Sequence, residues 1–444
     1  MTTPPRTSTP TPPQGGRHLG RRAFGLSALG AAALAGCGRF SSSGGDSGGD
    51  GVELSFSWWG DASRAEATEA AVATFMEKNP GITVRTDYQD SSPYQDKLAT
   101  RVAAGDAPDV MAVPNRALRE YAGRGALADL NAAGVDLSAV DDRVVGLGTV
   151  DGTVYGIAAG LNTVGVVFRK QHVLDAGLPL PDGDTWSWED YEEISRAITE
   201  NTGRAVYGSG YSMEAETGNI IWTRQQGQDF YTADGGLGAD AASIAAWYAM
   251  NVRFRASGAL PPAGYVDVTG SGAEQSFLAQ DKVASQFIPT NNLGAYNRAC
   301  GGDLVMLRMP GETTGVRRGM SVDCSMLWSV SAQSEHPAEA AALLDFLVND
   351  PDAYTEMMTT RGVPPNPEVT EAVKAKMSPD DLAATEFLLA LQQEDLPPTY
   401  VYPRGATAMA SEISTVATEI EFGRMTPEQA ADALVRVGQS ELSA

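Results

Sequence analysis

The feature that most constrains the fold of this chain is an alternation of strand and helix patterns. Residues 52–58, VELSFSW, alternate apolar and polar side chains, as a strand with one buried face does. Ser63 and Glu66 predict a capping box at the start of a helix, which the Asn-Pro-Gly turn at 79–81 ends. Residues 82–88 predict a second strand. This order of strand, helix and strand predicts an α/β fold.

The alternation continues along the chain. A second predicted helix closes at Gly105 and leads into an apolar strand at 110–113. Ser187 and Asp190 form a capping-box pattern that predicts a helix to Asn201. Further predicted elements are strands at 154–158, 164–168 and 283–288, and helices at 117–123, 240–257, 272–279, 337–348, 351–360, 379–393, 405–422 and 427–440.

The N-terminal region has the pattern of an export signal that ends in a lipid attachment site. Residues 1–36 predict a signal peptide of the twin-arginine type, because Arg21 and Arg22 precede an Ala-, Gly- and Leu-rich segment. The tetrapeptide Leu-Ala-Gly-Cys ending at Cys37 resembles a lipobox, in which the thiol is diacylated. Residues 37–51 then predict a flexible Gly/Ser/Asp linker behind the lipidated cysteine. We expect an exported protein that is lipid-anchored to the outer face of the cell membrane.

Charge and length narrow the class of protein. The chain has 32 Lys and Arg residues against 56 Asp and Glu, a formal net charge of -24. Removal of residues 1–36 takes away four arginines and no acid, which makes the remainder more acidic. Such a surface repels nucleic acid, which we exclude as a partner. The remaining length exceeds what one hydrophobic core usually supports, so two lobes are expected.

Catalytic and metal-binding patterns are scarce. After Cys37 only His172 and His336 remain, and no metalloprotease, nucleophile-elbow or complete phosphate-loop motif occurs. We predict no catalytic residue, no metal site and no cofactor. Paired carboxylates for glycoside cleavage stay open, because any two acids could converge in the fold. Cys300 and Cys324 could form a disulfide or lie buried as two separate thiols, and spacing alone does not decide between these.

A series of segments spread over residues 52–440 carries a likeness to a known family. The segments are FMEKNPGITV (75–84), YQDKLATRVAAGDAPDVMAV (94–113), VDGTVYGIAAGLNTVGVVFRKQHVLDAGLPLP (150–181), SFLAQDKVA (276–284), LRMPGETTG (307–315), RGVPPNPEV (361–369) and FGRMTPEQAADAL (422–434). With these segments in this order, the chain resembles the extracellular solute-binding proteins of sugar-importing ABC transporters, a group that includes maltose-binding proteins.

The resemblance implies a fold and a function. The implied fold is a two-lobed periplasmic-binding-protein-like fold of type II, in which each lobe is a sheet flanked by helices and hinge crossovers join the lobes. The implied function is capture of a mono- or oligosaccharide in the interlobe cleft and delivery to the transmembrane subunits of an ABC permease, by a monomer. The implied boundaries are 52–157 with 320–360 for lobe 1, 163–307 with 366–444 for lobe 2, and hinge segments near 156–162, 309–319 and 361–366.

Two other functions stay open beside this one. The ligand could be a non-sugar solute, such as a polyol, a glycerol phosphodiester or a peptide. The chain could also be a surface glycosidase or lyase, although the scarcity of catalytic motifs favours binding over turnover.

Candidate ligand contacts follow the ends of predicted strands, where open α/β sheets bind their ligands. Trp59 and Asp61 follow the first strand, and strand alternation places Trp58 and Trp59 on opposite faces. We therefore expect Trp58 in the core and the Trp59 ring against the apolar face of a sugar. Asn115 and Arg116 follow strand 110–113; a helix cap with a solvated arginine is the alternative there. The resemblance implies further contacts at Asn162, Asn219, Trp222, Thr290, Asn291, Asp323, Ser325, Arg361, Tyr402 and Arg404.

Overall fold

A computed structural model describes residues 51–210, 216–265 and 272–443. The predicted signal peptide, the lipidation site Cys37 and the linker up to residue 50 lie outside the described residues. Within the described ranges, none of the helices is both long enough and apolar enough to cross a membrane.

The strands of the described residues form three sheets. Five strands pair in the order β2-β1-β3-β10-β6, three in the order β8-β7-β9, and β4 pairs with β5. The strands are β1 Val52–Trp59, β2 Ile82–Gln89, β3 Val110–Pro114, β4 Thr149–Val150, β5 Thr153–Val154, β6 Ile157–Ala158, β7 Val164–Arg169, β8 Ser285–Pro289, β9 Leu304–Leu307 and β10 Met326–Val330.

Helices surround the two larger sheets. They are α1 Ala62–Lys78, α2 Ser91–Ala104, α3 Leu118–Gly123, α4 Leu130–Ala133, α5 Asp142–Gly146, α6 Lys170–Asp175, α7 Trp188–Asn201, α8 Glu216–Gln225, α9 Ala241–Ser257, α10 Leu293–Ala299, α11 Pro337–Asn349, α12 Pro351–Met357, α13 Pro367–Lys374, α14 Pro379–Gln392, α15 Ala406–Glu421 and α16 Pro427–Glu441. Short 3-10 turns occupy Asn115–Ala117, Ala273–Gln275 and Thr290–Asn292.

The five-stranded sheet is the centre of the first core. Strands β1, β2 and β3 run parallel, with Val52 opposite Ile82, whereas β10 pairs antiparallel with β3. Helices α1, α2 and α11 pack on this sheet. All four residues 110–113 of β3 are completely buried, as expected for a strand covered on both faces. Trp58 also lies fully buried in this core, which confirms the expectation drawn from strand alternation.

The three-stranded antiparallel sheet organises the second core. Val166 and Phe168 of β7 pack on one face with Tyr191 and with helices α9, α15 and α16. Val167, on the opposite face, belongs to a smaller third core. The Tyr191 hydroxyl contacts the Ser209 and Ser285 hydroxyls at 2.7 and 2.9 Å, which ties α7 to the edge strand β8. The structure is therefore a two-lobed α/β fold, as the sequence predicts.

Two local predictions from the sequence are wrong because side chains form hydrogen bonds that the pattern does not show. The cap of α1 is Asp61, whose carboxylate accepts a hydrogen bond from the Arg64 amide at 2.9 Å, so Ser63 already lies inside the helix. The predicted helix at 272–279 is only the 3-10 turn Ala273–Gln275. The Ser276 hydroxyl donates to the Ala273 carbonyl at 2.7 Å, and this local bond competes with helix propagation.

Two further elements differ in extent. Helix α12 stops at Met357, because Met358 adopts a positive φ of 45°, instead of continuing to residue 360. The predicted strand 154–158 is broken between β5 and β6, which pair with different neighbours.

The capping box of Ser187 with Asp190 and the left-handed cap at Gly105 are confirmed.

The chain passes between the two larger sheets at a few crossovers that pair with one another. It leaves the five-stranded sheet after β6 and enters the three-stranded sheet at β7. In this stretch Leu161 pairs with Val363, and Asn162 pairs with Asp323. The four residues therefore bring three distant parts of the chain together between the cores.

Side chains near the predicted hinges belong to different cores. Met309, the first residue of the stretch predicted as the second hinge, and Met320, which follows that stretch, both pack in the second core. Val369 of α13 packs in the first core, while α14 contributes Leu388 to the first core and Leu391 to the second. The residue boundaries of the two lobes stay predictions.

A substitution at the crossover tests how tightly these segments pack. A Cβ atom at Gly160 would lie 2.6 Å from the carbonyl carbon and oxygen of Arg361. Because both atoms belong to the backbone, we expect Gly160→Ala to lower the free energy of unfolding by on the order of 1–3 kcal/mol in urea denaturation. Gly146→Ala is the matched control, since nothing lies within 4 Å of its Cβ position. Equal stability of the two variants would contradict tight packing at the crossover.

Candidate functional site

A cavity of about 430 Å³ lies between the two larger sheets. The ends of β1 and β3 and the start of α2 line it from the first core. Helix α8, the end of β8 and the segment 399–402 line it from the second core. The crossover residues Asn162 and Asp323 also line it. The cavity therefore lies where the strand-end rule for open α/β sheets places a ligand.

The Trp59 ring and the first turns of α2 line the cavity on the side of the first core. Trp59 is half-buried, and its ring lies 5.5 Å from the Tyr94 ring, measured between centroids. Tyr94 is held in turn because its hydroxyl lies within hydrogen-bonding distance of the carbonyls of Ser57 and Ala112, at 3.0 and 2.9 Å. Gln95, one residue further along α2, lines the cavity as well. The position of the Trp59 ring is thus fixed by packing.

Hydrogen bonds at the crossover fix the polar residues of the cavity. The Asn115 amide donates to the Cys324 carbonyl at 2.6 Å, which ties the end of β3 to the segment before β10. The Asn162 and Asp323 backbones exchange two hydrogen bonds of 2.9 Å. The Asp323 carboxylate accepts a bond from the Cys324 amide at 2.7 Å.

Burial shifts the pKa of Asp323. It raises the pKa of this carboxyl above its usual range, although the bond from the Cys324 amide and the positive charges of Arg224 and Arg116 oppose the change. The carboxyl is thus harder to ionise than a solvated aspartate.

An ion pair spans the cavity wall from one core to the other. Arg116 follows β3, and its Nε donates to Glu216 Oε2 at 2.9 Å at the start of α8. The Tyr231 hydroxyl donates to the other oxygen of the same carboxylate. The Arg116 guanidinium lies 5.2 Å from the centroid of the Tyr402 ring. Burial lowers the pKa of Arg116, but the charge of Glu216, the hydrogen bond to it and the nearby Tyr402 and Tyr231 hydroxyls together outweigh this effect, so the pKa is raised overall.

A second arginine lines the cavity from inside α8. Arg224 is 5% exposed, and its Nη2 donates to the Pro398 carbonyl at 3.1 Å. Burial lowers the pKa of Arg224, and the nearby charge of Asp323 opposes this. Arg224, Glu216 and Tyr231 are not among the contacts predicted from the sequence. Glu216 and Arg224 lie in a helix and Tyr231 in the loop after it, so none of them follows the end of a predicted strand. The spacing of apolar residues does not indicate polar side chains at these positions either.

The structure brings half of the predicted contacts together. The predicted residues that line the cavity are Trp59, Asn115, Arg116, Asn162, Asp323, Ser325 and Tyr402. The other predicted residues, all of them described, lie outside its lining: Asp61, Asn219, Trp222, Thr290, Asn291, Arg361 and Arg404.

Three of the residues outside the lining have other contacts that account for their positions. Asp61 caps α1. Arg361 is buried over the Trp328 ring, 5.0 Å from its centroid, and its Nη2 donates to the Thr68 hydroxyl at 2.7 Å. Burial, and then the charge of Arg64, lower the pKa of Arg361 to about 9. Arg404 is exposed and pairs through its backbone with Ser443.

The remaining four residues outside the lining lie on α8 and in the turn after β8. Asn219 is buried inside α8, and the Trp222 indole N–H donates to the Ser243 carbonyl at 2.9 Å. The backbone amide of Thr290 donates to the Thr163 carbonyl at 2.9 Å, so this buried threonine supports the crossover. Asn291 lies in the 3-10 turn that follows β8.

The two cysteines of the described part are separate thiols. Cys300 and Cys324 are both free and buried, in the third and first cores respectively. Of the two alternatives from the sequence, the structure has the pair of buried thiols. Burial raises the pKa of both thiols, which makes each a weak nucleophile.

Comparison with known proteins places the chain in a family. Two α/β lobes with an aromatic and polar cavity between them are the architecture of a two-lobed solute-binding protein. Residues 70–384 match the family described as bacterial extracellular solute-binding protein, and the chain belongs to this family.

Individual relatives are similar over nearly the whole chain. The chain is 24% identical over 429 residues to the galactooligosaccharide-binding protein of Bacillus subtilis, covering 95% of this chain and 97% of the relative. A periplasmic solute-binding protein from Pectobacterium atrosepticum has a similar structure, with a TM-score of 0.77 at 20% identity over 87% of this chain and 98% of the other. A periplasmic oligogalacturonide-binding protein from Yersinia enterocolitica, in complex with digalacturonic acid, has a TM-score of 0.73 at 19% identity over 87% and 97% of the two chains.

The raised pKa of Asp323 predicts a pH dependence of stability. A carboxyl whose pKa is raised by folding holds its proton more tightly in the folded state, so its contribution to the free energy of unfolding falls as pH rises from about 4 through the raised value. We expect Asp323→Asn to remove this fall. In thermal melts from about pH 4 to about pH 8, the wild type should lose melting temperature relative to the variant as pH rises. A constant difference across this range would contradict the prediction.

Proposed function

We propose that this protein captures a carbohydrate, a mono- or oligosaccharide, in the cavity between its lobes and delivers it to the transmembrane subunits of an ABC permease. The observation that carries the proposal is the combination of the half-buried Trp59 ring with amide, carboxylate and guanidinium groups around one cavity. The name of the Bacillus subtilis relative, a galactooligosaccharide-binding protein, supports the same class of ligand.

The groups in the cavity have the chemistry that a sugar requires. An indole ring stacks on the apolar C–H face of a pyranose. Asp323 can accept hydrogen bonds from sugar hydroxyls, while Arg116 and Gln95 can donate to them. A cavity of about 430 Å³ also lies within the usual range for small-molecule sites.

Closure of the lobes accounts for how such a cavity admits and retains a ligand. Arg116 extends from the end of β3 and Glu216 from the start of α8, so their ion pair joins elements of the two lobes. The Arg64 guanidinium makes a second contact of this kind with the Asn292 side-chain oxygen, at 3.0 Å. We propose that the lobes open about the crossovers near Asn162 and Val363 and that these contacts stabilise the closed form.

Delivery requires the protein to stay near its permease. We propose that residues 1–36 direct export by the twin-arginine route and that lipid on Cys37 tethers a monomer to the outer face of the membrane. Two acyl chains are sufficient for stable anchoring. A flexible linker of 37–51 then keeps the binding domain at a high effective concentration beside the permease.

Binding without turnover is the direct test of this function. Isothermal titration with a galactooligosaccharide mixture should give a saturable heat, and chromatography of the mixture after prolonged incubation should show unchanged sugars. Release of shorter products would establish a glycosidase or lyase in place of a binding protein. Saturable binding of a polyol or peptide with no response to any saccharide would establish a different solute.

Removal of the stacking ring should weaken sugar binding. We expect Trp59→Ala to raise the Kd for the galactooligosaccharide mixture by the equivalent of about 1–3 kcal/mol, because the buried aromatic contact is lost. Trp59→Phe should recover part of the affinity. Phe422→Ala is the control, since this exposed aromatic at the end of α15 lies outside the cavity. Unchanged affinity of Trp59→Ala in titration calorimetry would remove Trp59 from the site.

A further inference from the structure

The charges around the cavity are distributed in pairs. Among the described residues that line it, the charged side chains are Arg116, Arg224 and Asp323. Glu216 stands behind Arg116, outside the lining, and its side chain is only 3% exposed. Two cations thus face two carboxylates, and the formal charges of these four groups cancel.

The pair of Arg116 and Glu216 is held in a fixed geometry. Arg116 Nη2 contacts Glu216 Oε2 at 2.5 Å, in addition to the bond from Nε, and Tyr231 occupies the other carboxylate oxygen. The buried carboxylate therefore has partners on both of its oxygens. Any ligand that drew the guanidinium away would leave Glu216 buried with its charge uncompensated, which is strongly unfavourable.

The pair of Arg224 and Asp323 is looser but also balanced. The Arg224 guanidinium donates to backbone carbonyls, including that of Pro398, and makes no ion pair within 4.0 Å among the described residues. The carboxylate in the cavity wall whose charge acts most strongly on it is Asp323, which the Cys324 amide holds in place. A ligand carboxylate next to Arg224 would therefore also meet the repulsion of Asp323.

From this pairing we infer that the ligand is an uncharged saccharide and that Glu216 determines the preference for neutral over acidic sugars. The inference rests on the proposed function. Neutral hydroxyls can use the N–H groups of Arg116 that Glu216 leaves free and can donate to Asp323 without breaking either pair. A uronic acid would add a third carboxylate to a site whose cations are already matched. The fold alone does not set this preference, since the similar Yersinia enterocolitica protein holds digalacturonic acid.

The test compares one sugar in two charge states. The probes are a neutral galactooligosaccharide mixture and the same mixture oxidised at C6 of the terminal galactose to the uronic acid, titrated into the full chain by calorimetry at neutral pH. The wild type should bind the neutral probe roughly tenfold or more tightly than the acid. Glu216→Gln keeps the size of the side chain and removes its charge, so the ratio should shift by about tenfold towards the acid.

Two further variants test whether the change in the affinity ratio comes from the carboxylates at the cavity. Asp323→Asn removes the other carboxylate and should shift the ratio in the same direction, which preserves the test if Glu216→Gln does not fold. Glu192→Gln is the matched control, because it removes a carboxylate that pairs with Arg253 at 2.7 Å, outside the cavity; its ratio should equal that of the wild type.

The outcomes separate the inference from the proposed function. Equal or tighter binding of the acid by the wild type, or an unchanged ratio in folded Glu216→Gln and Asp323→Asn, would overturn the inference and leave saccharide capture standing. Binding of neither probe by a wild type that shows a cooperative thermal transition would overturn both.

Discussion

Pairing of the crossovers is the constraint on which the rest of this structure depends. The first and second cores are separate, and the chain segments that join them hold one another through the pairs Leu161 with Val363 and Asn162 with Asp323. Because the crossovers meet at one place, the ends of β1, β3 and β8 face a common space. The cavity is a consequence of this meeting of polar strand ends between two apolar cores. The buried Cys324 and the buried strand β10 follow the crossover in the chain and belong to the first core.

The same arrangement explains why charged residues occur at so enclosed a position. An isolated buried charge is costly, and a buried pair is stable only when its remaining hydrogen-bonding groups are satisfied. Glu216 meets this condition, because Arg116 and Tyr231 together occupy both carboxylate oxygens. The pair also joins an element of one lobe to an element of the other. One interaction thus contributes both to the charge of the cavity and to the contact between the lobes.

Much of the fold and part of the site could be predicted from the sequence, for physical reasons that differ by residue. Strand alternation separated Trp58 from Trp59, because successive strand residues point to opposite faces. The strand-end rule located Asn115 and Arg116. It did not show which partner each side chain takes: Asp61 caps a helix, and Arg361 lies over Trp328. Glu216 and Arg224 depend on how α8 packs against distant segments, and local sequence carries no record of that packing. Which residues contact the ligand stays a prediction.

The most direct measurement is a crystal structure of the protein grown with a neutral galactooligosaccharide. We expect saccharide density between the lobes, with a pyranose ring stacked on Trp59, hydroxyls within hydrogen-bonding distance of Asp323 and Arg116, and the pair of Arg116 and Glu216 intact. Saccharide bound elsewhere on the surface, or bound in the cavity with Arg116 withdrawn from Glu216, would contradict it.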